Sequence, residues 1–506
     1  MHKLFFAAAL GVSLVSFATA AENGTLELRI VEKGSDKPLS CRIHLSDTAG
    51  KPQKAGELPF FRDHFVCPGT VRLELLAGKY RCEIERGPEY SRVERAIEVK
   101  AGETMKVAAE LARLIDLAAE GWWSADLHVH RAPQDIELLM RAEDLHVAPV
   151  ITWWNNRNQW AKGRNLPEKP LVRFDDNRFY HLMAGEDERE GGALLYFNLA
   201  VPLSITDASR EYPSPLAFLH EARKHKGVWV DIEKPFWWDV PVWLADGQVD
   251  SIGIANNHMC RSEVRDAEAW GKPRDKERFP SPLGNGLWTQ QIYYHILNSG
   301  LRLPPSAGSA SGVLPNPVGH NRVYVQVEAP FTYERFWEGL KAGRAFVTNG
   351  PLLRCQVEGK APGHVFTIGK AAAITIVPKI ELTSREPIRA IEVVQNGKVV
   401  RSMTHDEWKK EGLGGITFRD SGWFLIRVFE DNPRLFRFAS TGPYYVEADK
   451  APRRTSKSSA QFFLHWVDER AKRVKLDDDT QRQTVLAHHE RARKYWQGVL
   501  EKANAE

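Results

Sequence analysis

The stretch Gly121-Trp-Trp-Ser-Ala-Asp-Leu-His-Val-His130 marks a change of pattern along the chain, and the fold prediction depends on it. Beyond it, short apolar runs alternate with segments of helical periodicity, which is typical of βα units. The apolar runs predict seven strands, over residues 125–129, 148–153, 180–184, 195–201, 227–232, 251–256 and 302–306. Seven strands with helices between them predict a distorted (β/α)7 barrel rather than an open sheet.

The segments on both sides of this region alternate with a period of two. Residues 25–30 and 71–75 do so before it, and residues 373–377 and 423–428 do so after it. Such alternation with turn residues between the runs is typical of β-sandwiches. We therefore expect a multi-domain α/β plus β protein. The predicted domains are an N-terminal β-sandwich (21–115), the central barrel (116–350), a C-terminal β-sandwich (351–448) and a charged helical tail (449–506).

The first residues predict export from the cytoplasm. Lys3 precedes an apolar run over residues 4–17, and Ala18-Thr19-Ala20 offers the small residues that a signal peptidase requires. We expect residues 1–20 to be a signal peptide and the mature protein to be periplasmic or secreted; an uncleaved N-terminal anchor is the alternative. No later run approaches the ~20 apolar residues of a membrane helix, so no stable membrane insertion is expected.

The composition indicates which partners and cofactors are not expected. The chain has 69 Lys and Arg against 65 Asp and Glu, a formal net charge of +4, and no long basic block, so nucleic acid is not an expected partner. Five cysteines without CxxC spacing do not predict a cysteine-based zinc site. A single disulfide within the N-terminal segment is compatible with export, but the sequence does not choose the pair.

The most distinctive local motif is Asp126-Leu-His128-Val-His130. Residues two apart on a strand point to the same side, so the two imidazoles can converge on one metal ion while Asp126 orients one of them. Functional groups of βα barrels collect at the carboxyl ends of the strands. Glu186, Lys234 and His258 follow later predicted strands and are expected at the same rim.

Three segments carry a resemblance to a known family. The motif at 126–130, Gly185-Glu186 and the segment Lys341-Ala-Gly-Arg-Ala-Phe-Val-Thr-Asn-Gly-Pro351 resemble the polymerase-and-histidinol-phosphatase (PHP) superfamily, and within it the secreted carbaryl-hydrolase-like metallohydrolases. The resemblance implies a PHP-type barrel. It also implies that His128 and His130 are the first metal ligands and that Glu186 is the bridging carboxylate.

The same resemblance matches Asp135 to the family's acidic residue five positions after the second histidine. Asp135 also precedes an apolar helix over residues 136–145, so an N-cap role competes with a catalytic or metal-binding role.

Several family motifs are altered in this chain. Thr152-Trp153-Trp154 replaces Thr-Asp-His, Lys234-Pro235 replaces His-Pro, and residues 308–312 read Gly-Ser-Ala-Ser-Gly in place of Gly-Ser-Asp-x-His. An intact trinuclear site is therefore not expected. A mononuclear or dinuclear site for Zn, Mn or Fe from His128, His130 and Glu186 is predicted, with His258 as a substitute ligand; complete loss of metal is the rival outcome.

Several basic and aromatic residues near the predicted rim have two interpretations each. Lys234 either places its ammonium where a metal ion is missing or forms a surface ion pair. Trp153, Trp154 and Trp237 either stack on an aromatic or sugar-like substrate or pack the loops. Arg322 and Arg344 either bind an anionic substrate or make ordinary packing contacts.

Two functions follow from these observations. The first is an exported metal-dependent hydrolase that cleaves an ester, phosphoester or amide bond with a metal-activated water. Asp135 or His258 would carry the proton in this reaction, and the substrate would be a small or carbohydrate-like molecule. The second is a catalytically degenerate extracellular protein that binds a ligand or carbohydrate on the same scaffold.

The export interpretation predicts the mass of the mature protein. When the full chain is expressed in a bacterial host, protein recovered from outside the cytoplasm should begin at Ala21, because Ala18-Thr19-Ala20 meets the requirement of the peptidase. Intact-protein mass spectrometry checks this expectation. An exported protein that retains residues 1–20 would show that the segment is an uncleaved anchor instead.

Overall fold

A computed structural model describes residues 22–161, 165–369, 373–448 and 452–506. The predicted signal peptide, residues 1–20, lies outside the described residues. The described parts of the chain contain 29 strands and eight α-helices. They therefore form a protein in which strands are far more numerous than helices.

The N-terminal part consists of two sheets that enclose one apolar core. The three-stranded sheet has the order β5-β1-β8, and the five-stranded sheet has the order β3-β4-β2-β6-β7. Alternate residues such as Leu26, Leu28 and Ile30 point inward, in agreement with the period of two. The strands are β1 (Asn23–Glu32), β2 (Cys41–Asp47), β3 (Phe60–Phe61), β4 (His64–Cys67), β5 (Thr70–Leu76), β6 (Gly78–Glu85), β7 (Val93–Val99) and β8 (Thr104–Leu111).

Two of the five cysteines lie opposite one another in this core. Cys41 on β2 pairs in register with Cys67 on β4, and their Sγ atoms are 3.7 Å apart. All five cysteines are buried and unbridged. The two thiols therefore contact one another without a bond, and the disulfide considered from the sequence stays a prediction.

The central part holds eleven strands and five α-helices. The strands are β9 (Trp122–Ala125), β10 (Val147–Trp154), β11 (Arg157–Asn158), β12 (Leu171–Phe174), β13 (Arg178–Arg189), β14 (Gly192–Phe197), β15 (Trp229–Ile232), β16 (Ser251–Ala255), β17 (Pro305–Ala307), β18 (Arg322–Gln326) and β19 (Ala345–Thr348). The helices are α1 (Ile136–Glu143), α2 (Pro215–Ala222), α3 (Val240–Asp246), α4 (Gly284–Asn298) and α5 (Tyr333–Lys341).

The predicted (β/α)7 barrel of the PHP type is wrong. The successive pairs β12–β13, β13–β14 and β14–β15 are antiparallel, and β9 pairs antiparallel with β18. Within the described part of the central region, four strand pairs are parallel: β9–β10, β10–β13, β15–β16 and β16–β17. The apolar runs were read as parallel strands joined by helices, whereas β13 and β14 form a hairpin whose turn lies between Arg189 and Gly192. The result is a closed mixed sheet.

The C-terminal strands continue this mixed sheet and enclose a second core. Strand β19 pairs with β28, and β21, β24, β25, β27 and β29 extend the sheet from there. The elements are β20 (Leu352–Gln356), β21 (Val365–Ile368), β22 (Ile374–Ile376), β23 (Lys379–Thr383), β24 (Ile388–Gln395), β25 (Lys398–Met403), α6 (His405–Glu411), β26 (Ile416–Phe418), β27 (Gly422–Glu430), β28 (Phe438–Thr441) and β29 (Tyr444–Ala448).

The tail consists of two helices that pack on the central part. They are α7 (Lys457–Ala471) and α8 (Asp479–Glu501). Trp496 is fully buried, and its indole nitrogen donates to the carbonyl of Pro241 on α3 at 2.8 Å. Among the described residues, none of the helices has the length and the apolar character needed to cross a membrane.

A buried ion-pair network holds α7 in place, and it predicts a large effect of one substitution. Arg470 on α7 is 1% exposed and donates to Glu211 and Asp239, both at 2.6 Å. Arg470→Ala should reduce the free energy of unfolding by about 3–5 kcal/mol, because two buried carboxylates lose their cation. Denaturant unfolding followed by tryptophan fluorescence measures this change.

The matched control is Arg482→Ala on α8, where an exposed ion pair with Asp479 should contribute less than about 1 kcal/mol. Equal stabilities of the Arg470 and Arg482 variants would show that the network does not hold the tail.

Candidate metal centre

The histidine pair follows β9 directly and is held by a buried carboxylate. Asp126 is completely buried, and its Oδ1 accepts a hydrogen bond from the backbone N–H of His128 at 3.1 Å. Val129 forms parallel bridges with Val150 and Ser311 on either side. The chain therefore remains extended beyond the strand, and the residues at 128 and 130 project to the same side. The role predicted for Asp126 changes, since it orients the backbone of His128 and not its imidazole.

Three ligand atoms converge beyond β9. The Nε2 atoms of His128 and His130 are 2.9 Å apart. Oε2 of Glu186 on β13 lies 3.4 Å from Nε2 of His128 and 3.1 Å from Nε2 of His130. The structure thus brings together the three residues that the motifs predicted as a ligand set, and all three are largely buried.

Two glycines make this convergence sterically possible. A Cβ on Gly308, which follows β17, would lie 2.4 Å from Cβ of His128. A Cβ on Gly185 would lie 1.8 Å from the ring of Trp153. Both contacts are far below van der Waals distance, so only glycine permits these approaches. Trp153 therefore packs beside the backbone that presents Glu186.

Glu233 and Lys234 form a second group beside the histidines. Glu233 follows β15, and its Oε1 lies 3.5 Å from Nδ1 of His128. Its Oε2 accepts hydrogen bonds from the ammonium of Lys234 and, at 3.0 Å, from the indole of Trp237. Lys234 is 3% exposed, so its surface ion-pair interpretation is wrong. The ammonium also lies 4.5 Å from the centre of the Trp237 ring.

The site is electrostatically coupled. Burial alone would lower the pKa of His128, but Glu186 and Glu233 raise it to about 10. Burial would raise the pKa of both Glu186 and Glu233. His128 nevertheless holds the pKa of Glu186 below its usual value, and Lys234 holds the pKa of Glu233 at about 2. Burial lowers the pKa of His130. Two carboxylates therefore face one ammonium and one imidazolium, and the charges balance.

Of the two further residues predicted for the site, the structure places neither His258 nor Asp135 in the ligand cluster, so the role of His258 as a substitute ligand is not supported. His258 nevertheless lies close enough to Lys234 and Glu233 to interact with their charges. Nδ1 of His258 is buried and has no hydrogen-bond partner among the described residues. Burial, and then the charge of Lys234, lowers the pKa of His258 to about 3, so the imidazole is neutral. Asp135 ends a short 3₁₀ helix and precedes α1, where its side chain makes no capping hydrogen bond. The structure does not place Asp135 in the ligand cluster.

The three tryptophans predicted to bind substrate differ in their surroundings. Trp153 is 2% exposed and stacks on Tyr196 with ring centres 5.9 Å apart. Trp237 is equally buried. Neither ring therefore offers a free face to a ligand in this structure. Trp154 is half-buried, and its ring centre lies 5.2 Å from that of His130, so it borders the accessible side of the site.

Two acidic residues were missed from the sequence. Glu233 directly follows β15 and lies two residues after Asp231, the spacing that places side chains on one side of an extended chain. Glu188 lies two residues after Glu186 on β13, and burial followed by repulsion from Glu186 raises its pKa to about 7. The period-two spacing was the available signal in both cases.

The converging residues fit a divalent metal ion. One ligand atom from each of His128, His130 and Glu186 lies within 4.8 Å of the others. Oε2 of Glu186 is buried and accepts no hydrogen bond among the described residues, which leaves a lone pair for a cation. Two imidazoles and one carboxylate form the protein ligand set of several catalytic zinc sites, and manganese and iron accept the same donors.

Comparison with known proteins gives little further guidance. No protein-family model and no curated protein matches the chain. It is similar to the minor pilin GBS52 of Streptococcus agalactiae, with 22% identity over 19% of this chain and 46% of that one (TM-score 0.17). A streptococcal ancillary pilin shows 13% identity over 22% and 38% of the two chains (TM-score 0.16).

The N-terminal four Ig domains of Dscam1 isoform 8.4 show 8% identity over 85% of this chain and 73% of that one (TM-score 0.15). This chain spans less than half the length of either pilin. At these TM-scores, the similarities carry no conclusion about function.

The geometry predicts one metal ion per chain. Zn²⁺ or Mn²⁺ titrated into chelator-treated protein should bind with a stoichiometry near one, and His130→Ala should weaken binding by more than about 100-fold. This estimate follows because loss of an outer partner of a ligand already costs about 10–100-fold. Isothermal titration calorimetry measures both quantities. The exposed His465→Ala is the control and should bind like the wild type; equal loss in both variants would contradict the site.

Proposed function

We propose that the protein is an exported metal-dependent hydrolase that cleaves an ester, phosphoester or amide bond in a small molecule. The observation that carries this proposal is the convergence of Nε2 of His128, Nε2 of His130 and Oε2 of Glu186 within 4.8 Å. A bound divalent cation would supply an activated water and polarise the bond that is cleaved.

The neighbouring residues have separable roles in this proposal. His128, His130 and Glu186 hold the cation. Glu233 faces Nδ1 of His128, which fixes the orientation of that imidazole and leaves Nε2 free for the cation. Lys234 neutralises Glu233, so the second carboxylate does not add uncompensated negative charge to a buried site.

The substrate would approach from the side of His130 and Trp154, because His128 and Glu186 are closed off by the protein around them. The half-buried Trp154 ring would support an apolar or sugar-like part of the substrate. His258 is the proton carrier that we favour over Asp135. It lies close enough to Lys234 and Glu233 to interact with both charges, and its Nδ1 is unpaired among the described residues.

A ligand-binding protein without turnover is the second candidate. The observation that favours it is the buried ion pair of Lys234 and Glu233, which fills space beside the three ligands with a fixed positive charge. Such a protein would hold its ligand at the Trp154 side without cleaving it.

Hydrolysis assays distinguish the two candidates. The chelator-treated protein, the metal-reloaded protein and Glu186→Gln should be compared on p-nitrophenyl acetate, p-nitrophenyl phosphate and a p-nitroanilide. We expect turnover of at least one substrate only in the reloaded wild type. Glu186→Gln should lower kcat/KM by about 100-fold, or about 2.7 kcal/mol, because an amide binds the cation more weakly and removes the negative charge.

The control for this assay is Glu490→Gln on the exposed side of α8, which should retain wild-type kcat/KM. Stoichiometric metal without turnover of any of the three substrates would favour the binding protein. A wild type that binds no metal would overturn the hydrolase.

A further inference from the structure

A second site lies where the three parts of the protein meet. A cavity of about 370 Å³ is lined by residues of the N-terminal sandwich, of the central sheet and of the C-terminal strands. Among the described residues, the metal ligands proposed above do not line this cavity. Its volume falls within the range of about 300–1,000 Å³ that is typical of small-molecule sites.

The lining of this cavity is dominated by guanidinium groups. The arginines are Arg42, Arg92, Arg261, Arg322, Arg385 and Arg437. Four glutamates also line the cavity: Glu85, Glu143, Glu386 and Glu430. Glu83 and Glu94, just outside the lining, pair with Arg261 and Arg92, so the six guanidinium groups face six carboxylates in all. Burial and the neighbouring arginines keep the pKa of His320 well below its usual value, and its imidazole is neutral.

The carboxylates are shared unevenly among the arginines. Glu85 and Glu143 both accept hydrogen bonds from Arg42, which is buried. Arg385 reaches Glu85 at 3.2 Å, and Arg322 reaches Glu143 only at 3.8 Å. Glu85 and Glu143 are therefore shared between Arg42 and the other guanidinium groups beside them.

Arg437 has no carboxylate partner at ion-pair distance among the described residues. Its Nη1 donates to Nε2 of His320 at 2.7 Å and to the carbonyl of Asn349 at 3.1 Å, and its Nη2 donates to the carbonyl of Arg261. Its guanidinium is thus oriented by neutral acceptors while its charge remains unpaired. A guanidinium fixed in this way is suited to bind an oxyanion.

The surroundings disfavour this accumulation of cations in the absence of an anion. Burial, and then the charge of Arg92, lowers the pKa of Arg385 to about 10. Burial also lowers the pKa of Arg437 to about 10, with Glu430 opposing and Arg261 reinforcing the shift. A bound anion would offset both effects.

We propose that this cavity binds a small oxyanion, such as a phosphate, a sulfate or a polycarboxylate. The anion would lie against Arg437 and Arg385 and pair with the guanidinium of Arg437, which neutral acceptors hold in place. This proposal is independent of the hydrolase, since the two sites use different residues.

Calorimetric titration of metal-free protein tests the proposal. Inorganic phosphate, sulfate and citrate are added at constant ionic strength, with chloride as the reference salt. We expect one saturable site for at least one of these anions, and at least tenfold weaker binding by Arg437→Gln. Preference for phosphate and sulfate would identify a tetrahedral oxyanion as the ligand chemistry, and preference for citrate would identify a polycarboxylate.

Three further variants make the test specific. The exposed Arg72→Gln is the matched control and should bind like the wild type. The double variant His128→Ala, His130→Ala should also retain anion binding, which separates this site from the metal centre. If Arg437→Gln does not fold, Arg92→Gln at the half-exposed edge replaces it, and weaker binding is again expected. No saturable binding by the wild type, or unchanged binding by the folded cavity variant, would overturn the proposal.

Discussion

The carboxylate of Asp126 is completely buried, and three backbone N–H groups from separate parts of the chain donate to it. They belong to His128 at 3.1 Å, to Ser309 at 2.9 Å and to Gly319 at 2.7 Å. Burial raises the pKa of Asp126, and these three hydrogen bonds oppose the increase. The end of β9, the residues after β17 and the loop before β18 are therefore tied to one group. The position of the histidine pair depends on this connection.

Charge balance is the second constraint on the site. Glu186 and Glu233 are both buried, and a pair of buried carboxylates is unfavourable without cations beside it. Lys234 compensates one of them permanently, and the two histidines or a metal ion compensate the other. Lys234 therefore accounts for one cation only, and the side chains of His128, His130 and Glu186 still converge beside it.

Local sequence patterns predicted individual elements better than they predicted which strands pair with one another. The alternation around Leu26 follows from residues close in sequence, and the strand that it predicts is present. His128, His130 and Glu186 lie together as predicted, and that they bind a metal stays a prediction. The sheet was wrong, because pairing partners such as β9 and β18 lie about 200 residues apart, and nothing local distinguishes a parallel from an antiparallel strand there.

The arginine cavity could not be predicted from the sequence for the same reason. Arg42, Arg385 and Arg437 come from distant segments, and each on its own has the appearance of an ordinary surface charge. Of the arginines that line the cavity, only Arg322 had been considered for an anion. The contact between Glu233 and His128 likewise could not be predicted, since it depends on how β15 is placed relative to β9.

The metal centre is the claim on which the functional account depends, and anomalous diffraction tests it most directly. Crystals of the protein grown with Zn²⁺ or Mn²⁺ should show one anomalous peak, about 2.0–2.2 Å from Nε2 of His128, Nε2 of His130 and a carboxylate oxygen of Glu186. The ammonium of Lys234 should remain paired with Glu233. A map without a peak at these three residues, with the two imidazoles still in direct contact, would contradict the account.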